Sequence, residues 1–200
     1  MAAVDGVLPP AQCSASDAAW ATKPYLAGFK FIGGKKTEWT GPLDDVTSPI
    51  VDSATGKRAV IGSLPTMSDE DAVEAVEAAA AAWDQGQGEW PRMSLTKRIV
   101  AVEKFMEELL KVRPEMINAL MWEICKNTEA ATAEFDRTMV FIRAAIAEIK
   151  KDPTVGQGFK EWEEIAGGVG VKVRRGPVGV LLGLAPFNYP LNEMYGASQP

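Results

Sequence analysis

Residues 176–190 of the chain read GPVGVLLGLAPFNYP. From Val178 to Leu184 the side chains are apolar with almost no alternation, which is typical of a strand buried on both faces, as the strands of parallel sheets are. Pro186 and Pro190 then bracket a short segment that neither a regular strand nor a regular helix can cross. The stretch therefore predicts a buried strand that ends in a fixed turn, at the edge of the sheet where open α/β sheets bind their ligands.

Asn188 lies in that turn, between Phe187 and Tyr189. Its residue type alone favours a turn role, in which the side-chain amide bonds nearby backbone groups. The alternative is functional, with the amide as a donor held ready for a developing negative charge. Spacing by itself does not decide between the two roles.

The motif APFNYP, after a strand that begins GPVGV, resembles the first coenzyme-domain strand and following loop of the aldehyde dehydrogenase superfamily. The resemblance implies that Asn188 is catalytic and donates to the oxyanion of the thiohemiacetal, beside a backbone N–H of the catalytic Cys. One such donor lowers the barrier by on the order of 3 kcal/mol. The resemblance also implies that the cofactor, NADP or else NAD, lies over the end of the strand. The residues expected to contact it are Leu184, Ala185, Pro186, Phe187 and Asn188.

The resemblance covers most of residues 28–197, and it is strongest to the non-phosphorylating, NADP-dependent glyceraldehyde-3-phosphate dehydrogenase branch. Two features indicate this branch. One is FNYP in place of the commoner WNFP, and the other is the pair Arg137-Thr138 in the predicted helix over 129–151. In that branch the matching Arg holds the substrate phosphate and the Tyr after the Asn lines the substrate site. Arg137 and Tyr189 are therefore the expected substrate contacts. The implied reaction is the glycolytic oxidation of glyceraldehyde 3-phosphate to 3-phosphoglycerate, and another aldehyde substrate is the alternative.

Composition excludes several other functions. A net charge of -6 without a basic stripe argues against a nucleic-acid partner. No apolar stretch approaches the ~20 residues of a membrane span, and residues 1–22 lack the pattern of a secretory signal. The two cysteines, Cys13 and Cys125, fit a reducing cytoplasm, which is the expected location. Because the chain has no His, Ser–His and Cys–His catalysis and a His-ligated zinc site are excluded within it, and we expect no metal.

The predicted fold class is α/β, as the N-terminal portion of the aldehyde dehydrogenase fold, truncated. It comprises a helical lobe with β-hairpins, the start of a β-arm and the first strand of a Rossmann-like parallel sheet. Four parts are expected. They are a mobile tail at 1–24, the hairpins and helices of the coenzyme-binding domain at 25–151, an oligomerisation β-arm segment at 152–176, and the first coenzyme-domain strand with its substrate and cofactor loop at 177–200.

Local signals place the elements of the first half. Gly33-Gly34 predicts a hairpin turn between two short apolar runs, and a second hairpin is expected around residues 53–57. Ser68 is expected to cap a helix that ends near Gly86. Further helices are predicted over the ranges 94–112, 114–126 and 129–151, the last of them capped by Thr128.

The helix over 129–151 has apolar residues on both sides, which predicts that most of it is buried. Arg137 would then be a partly buried cation, and such a charge needs an anion. Two partners are open: an anionic ligand, or Glu134 three residues back in the sequence. Packing of the Arg137 stem against the apolar surface is the remaining alternative.

The resemblance also implies what these residues lack. The nucleophilic Cys and the general-base Glu of the family come from segments downstream of the strand. Neither Cys13 nor Cys125 occupies the position of that nucleophile. We therefore expect the 200-residue chain to be inactive alone. The resemblance further implies that the full-length form is a homodimer or homotetramer. Two alternatives remain: a non-catalytic interaction or regulatory fragment that uses its arm strand, and a chain that folds poorly because its last strand has few partners.

Overall fold

The computed structural model describes residues 25–51, 56–152, 163–173 and 176–197. The tail expected at 1–24 lies outside the described residues. The strands are β1 Phe29–Ile32, β2 Lys35–Glu38, β3 Leu43–Val51, β4 Arg58–Pro65, β5 Glu163–Ala166 and β6 Val169–Val171. The helices are α1 Asp69–Trp83, α2 Glu89–Arg92, α3 Leu95–Lys111, α4 Arg113–Ile124, α5 Thr128–Ile149 and α6 Pro190–Ala197, and a 3-10 turn, Asp84–Gly86, follows α1.

Both predicted hairpins are confirmed. β1 and β2 pair antiparallel around Gly33 and Gly34, whose φ angles of 58° and 75° suit a tight turn that side chains with a Cβ rarely adopt. β3 and β4 also pair antiparallel, while residues 52–55 of the turn predicted between them lie outside the described residues. At Gly62 of β4 the backbone of Leu26 approaches so closely that a Cβ would lie 2.7 Å from the Leu26 carbonyl oxygen. A single parallel bridge joins these two residues and ties the start of the described chain to the second hairpin.

The predicted helices form, with one correction to their caps. Ser68 caps α1 in a reciprocal capping box with Asp71, as expected for a Ser followed by acids. The cap of α5 is Asn127 and not Thr128, because the Asn127 Oδ1 accepts from the amide of Ala130 at 2.8 Å. Thr128 is instead the first helical residue. Both residue types cap well, so only the backbone geometry separates two adjacent candidates.

One apolar core holds α3, α4, α5 and α6 together. Its centre is formed by Met121 of α4 and Phe135 of α5, both completely buried. The α5 residues Met139, Ile142 and Ile146 continue the stripe that the helical spacing predicts. A smaller cluster around Trp122 joins this lobe to the second hairpin, and its other members are Ile50, Ala59 and Ile61. None of the described helices has the length and apolar character needed to cross a membrane.

The buried parallel strand predicted for 178–184 is not observed in this chain. The sheets among the described residues are all two-stranded and antiparallel, and residues 180–186 have no regular structure. The side chains of Val178 and Leu182 are 88% and 85% exposed. A parallel strand needs neighbours for its backbone groups and helices to cover its faces, and the described residues provide neither.

The described part of the arm segment forms a short hairpin. β5 and β6 pair antiparallel around Gly167-Gly168, and β6 ends at Val171. Residues 153–162 and 174–175, which are part of the expected arm, lie outside the described residues. Val169 and Val173 are 61% and 54% exposed, since no described element packs on them. The oligomerisation role of this segment stays a prediction.

Candidate active site

The turn that carries Asn188 lies against α5. Residues 187–189 form the turn and Pro190 occupies the first position of α6, where a missing N–H costs nothing. Leu191, one residue into the helix, is 4% exposed and belongs to the core of the helical lobe. This buried side chain holds the start of α6, and with it the turn, beside the middle of α5.

Arg137 and Tyr189, the two predicted substrate contacts, are brought together. The guanidinium carbon of Arg137 lies 5.9 Å from the centroid of the Tyr189 ring. Arg137 is exposed, so the expectation of a partly buried cation is wrong for this chain. The face of α5 that carries Arg137 was expected to be buried but is open to solvent, since Val140 and Phe141 on it are 63% and 50% exposed. Proximity to Tyr189, and not burial, is therefore the structural reason to regard Arg137 as a site residue.

Glu134 does not pair with Arg137, which corrects the second expectation for this cation. The carboxylate is 1% exposed. Its Oε2 forms an ion pair with Lys126, and its Oε1 accepts from the backbone amides of Leu191 and Asn192 at 3.1 Å and 3.3 Å. Residue spacing within α5 suggested Arg137 as the partner of Glu134. The actual partners of Glu134 are Lys126, in the segment before α5, and two amides of α6.

Lys126 is a site residue that the sequence interpretation missed. Its ammonium lies 3.9 Å from the centroid of the Tyr189 ring, so this phenol has two cations beside it. Lys126 is charge-compensated by Glu134. Arg137 has no ion pair with any residue of the described ranges, and the surface at Tyr189 therefore carries an uncompensated positive charge.

Asn188 itself is exposed, and its carboxamide makes no hydrogen bond to the described part of the chain. It is not packed inward, so it is accessible to a ligand. Its assignment as an oxyanion donor stays a prediction.

The other predicted cofactor contacts, 184–187, are exposed as well, with Leu184 at 81% and Phe187 at 84%. Every residue of 176–187 is Gly or has an apolar side chain, so the only polar groups of this segment are those of the backbone. This composition fits one wall of a site for a planar ring and supplies no cation for a phosphate. The contacts with the nucleotide stay predictions.

An apolar groove lies between α4 and α6. Its lining includes Met116, Leu120, Met194, Tyr195 and Glu123. Desolvation, together with the negative charge of nearby Glu134, raises the pKa of Glu123 above its ordinary value. Burial likewise raises the pKa of Tyr195.

The free cysteine of the described residues is Cys125. Cys125 ends α4 in a left-handed conformation, with φ of 56°, and is exposed. It is not on the turn that carries Asn188. The described ranges contain no cluster of His, Cys, Asp and Glu side chains that could hold a metal ion.

Comparison with known proteins gives the family. The sequence profile of the Aldehyde dehydrogenase family matches residues 40–200. Malonate-semialdehyde dehydrogenase 1 of Bacillus thuringiensis (strain Al Hakam) is 28% identical over 154 residues, which make up 77% of this chain and 29% of that protein. The crystal structure of NADP-dependent glyceraldehyde-3-phosphate dehydrogenase from Bacillus halodurans C-125, complexed with NADP, is 25% identical. It matches with a TM-score of 0.66 over 84% of this chain and 33% of its own.

A further similar structure is a double mutant of betaine aldehyde dehydrogenase from Staphylococcus aureus in complex with NAD+. It is 22% identical, with a TM-score of 0.67 over 82% of this chain and 30% of its own, and at that identity it supports the fold alone. The chain thus spans about a third of the length of the proteins it matches. These relatives bind NADP in one case and NAD in another, and their names indicate different aldehydes. The chain belongs to the aldehyde dehydrogenase family, and its hairpins and helices are the N-terminal portion of the aldehyde dehydrogenase fold.

Proposed function

We propose that an enzyme containing this chain oxidises glyceraldehyde 3-phosphate to 3-phosphoglycerate, with NADP preferred over NAD. The observation that carries the proposal is the position of Arg137 beside Tyr189, immediately next to Asn188. A cation, an aromatic ring and an amide donor occur together at one end of α6, and each suits a different part of a phosphorylated aldehyde. By the same resemblance, we assign the enzyme to glycolysis in the cytoplasm, as a homodimer or homotetramer.

Asn188 is assigned to the aldehyde end of the substrate. An aldehyde oxygen becomes negative when a nucleophile adds to its carbon, and a preorganised amide donor stabilises that charge. The exposed carboxamide of Asn188 has no competing hydrogen bond within the described residues, so it can donate without first breaking one.

Arg137 is assigned to the phosphate end. A guanidinium presents a planar fork of donors that matches two phosphate oxygens at once. Lys126 lies closer to Tyr189 but is compensated by Glu134, so Arg137 carries the charge that a phosphate would meet. Tyr189 contacts both cations and follows Asn188 in the sequence, and its ring would form the wall along which the substrate lies.

A nicotinamide nucleotide supplies hydride acceptance when it is bound. Within this chain its expected contacts are the apolar side chains and backbone groups of 184–187, which exclude water from one side of the reacting centre. No charged side chain in that segment selects NADP over NAD, and the preference for NADP rests on the resemblance and on the NADP-bound relative.

Enzyme kinetics test the proposal. Reduction of NADP and of NAD would be followed by absorbance with glyceraldehyde 3-phosphate, glyceraldehyde, malonate semialdehyde and betaine aldehyde, on a full-length protein that contains these residues. We expect the phosphorylated aldehyde to give the highest kcat/KM, at least roughly tenfold above glyceraldehyde, since losing a charged hydrogen-bonded contact costs about 1.5–3 kcal/mol. A higher kcat/KM for an unphosphorylated aldehyde would contradict the substrate assignment.

The 200-residue chain alone supports a second candidate function, association with other subunits without catalysis. The observation in its favour is the exposed apolar segment of residues 178–187, in which Leu181 and Leu184 are 79% and 81% exposed. Surfaces of this kind mark places where another chain binds. The chain would be purified, assayed with the same aldehydes and mixed with full-length subunits before gel filtration. Co-elution without turnover favours this candidate, and thiol-dependent turnover by the chain alone contradicts it.

A further inference from the structure

Helix α6 begins without a cap of its own. The carbonyl of Tyr189 accepts the first helical hydrogen bond, from the amide of Glu193 at 3.1 Å, which makes Tyr189 the residue at the cap position. A cap normally supplies a short side-chain oxygen to the second or third amide of the helix, and a phenol does not. Pro190 has no N–H, so the amides that need an acceptor are those of Leu191 and Asn192.

Glu134 supplies that acceptor from another helix. Its Oε1 accepts from both amides, at 3.1 Å and 3.3 Å, although 57 residues separate it from Leu191 in the sequence. A carboxylate at this end of a helix is also stabilised by the helix dipole. The remaining oxygen accepts from Lys126, so a carboxylate that is 1% exposed has partners on both oxygens. Burying a charge is costly, and this set of donors offsets that cost.

The cap acts on the turn that carries Asn188. Asn188 lies three residues before Leu191, and its side chain is held by no hydrogen bond to the described residues. Its direction therefore depends on how firmly the backbone on either side is fixed. On the preceding side, residues 180–186 have no regular structure, so the fixed side is α6.

We propose that Glu134 is a positioning residue for Asn188: by holding the first free amides of α6 it fixes the turn from which the amide donor projects. This inference rests on the proposed role of Asn188 in the oxidation of the aldehyde. Lys126 supports the same arrangement from its other side, because it binds Glu134 and contacts the ring of Tyr189.

Two variants separate the parts of this arrangement. Glu134→Ala removes both acceptor oxygens, whereas Glu134→Gln keeps one carbonyl oxygen for the amides and places an NH2 against Lys126. The matched control is Glu148→Gln on the same helix, where the side chain is 71% exposed and the carboxylate pairs with Lys151.

The first readout is amide hydrogen exchange in the 200-residue chain, which needs no activity. We expect exchange at Leu191 and Asn192 to accelerate by roughly tenfold or more in Glu134→Ala, less in Glu134→Gln, and not in the control. Unchanged exchange at both amides in both variants would overturn the inference. Should Glu134→Ala fail to fold, the comparison of Glu134→Gln with the control still decides the outcome.

The second readout is a double-mutant cycle with Asn188→Ala in a full-length enzyme that contains these residues. A misplaced catalytic group costs roughly 10- to 100-fold in kcat, so we expect a loss of that size for Glu134→Ala when Asn188 is present. In the Asn188→Ala background the same change should cost less than about threefold, since nothing is left to position.

The cycle keeps the two ideas distinguishable. An equal loss in both backgrounds, with a strong effect of Asn188→Ala itself, overturns only the positioning role of Glu134. No effect of Asn188→Ala overturns both the positioning role and the proposed function. A merely structural role of Glu134 would give the first of these results, because general destabilisation does not depend on which residue occupies position 188.

Discussion

Replacing Arg137 by Leu removes the uncompensated cation beside Tyr189. The charge of Lys126, the other cation at this ring, is neutralised by its ion pair with Glu134. Lys126 therefore does not replace Arg137 as a binding group for the phosphate. A hydrogen bond from a charged donor contributes about 1.5–3 kcal/mol, which corresponds to roughly 10- to 100-fold in binding. Because Arg137 is exposed and screened by solvent, we expect the lower part of that range.

The assay compares steady-state kinetics with glyceraldehyde 3-phosphate and with glyceraldehyde, in a full-length enzyme that contains the chain. We expect KM for the phosphorylated substrate to rise by about tenfold in Arg137→Leu, while KM for glyceraldehyde changes by less than about twofold. Arg143→Leu is the matched control, since it removes another exposed cation of α5. Equal changes in KM for the two substrates would refute the phosphate assignment and leave Arg137 a surface residue of the lobe.

Three further predictions concern the stability and pH response of the chain, each measured by urea unfolding. Phe135→Ala should lower the free energy of unfolding by about 3–5 kcal/mol, because the ring is completely buried. Phe141 is half exposed on the same helix, so Phe141→Ala should lower it by less than about 1 kcal/mol. Similar losses in the two variants would contradict the assigned core. Ser68→Ala should cost about 1 kcal/mol through loss of the cap of α1, and an unchanged midpoint would mean that the cap does not contribute. Glu123→Gln should stabilise the chain at pH 7, by less than about 1 kcal/mol after solvent screening, because the raised pKa of Glu123 means that its ionised form disfavours folding. That gain should shrink as the pH falls through the raised pKa of Glu123 and vanish below the ordinary pKa of a Glu, where both states are protonated. A gain that is constant with pH would exclude this cause.

The features that the sequence predicted well are those that depend on neighbouring residues. Gly33-Gly34 specifies a tight turn through φ angles that few other residues adopt, and Ser68 followed by acids specifies a helix start. The stripe through Phe135 in α5 is likewise a property of helical spacing. The cap of α5 shows the limit of such reasoning, since Asn127 and Thr128 are both good caps and differ only in where the first turn closes.

The features that the sequence did not predict depend on distant or absent neighbours. The apolar run through Leu182 was expected to be buried, but an apolar strand is buried only where other strands pair with it. The exposure of Arg137 has the same cause, because the described residues leave that face of α5 uncovered. The capping of α6 by Glu134 joins residues 57 positions apart, which no local pattern reveals. The missing cap at Tyr189-Pro190 was the only local sign that such a partner was needed.

The most direct test of the central claim is the rate of the hydride-transfer step in Asn188→Ala, measured in a single turnover so that product release does not mask it. If the amide at this turn stabilises the negative charge on the aldehyde oxygen, that rate falls by about 100-fold or more. A single-turnover rate equal to that of the unmodified enzyme would contradict the claim.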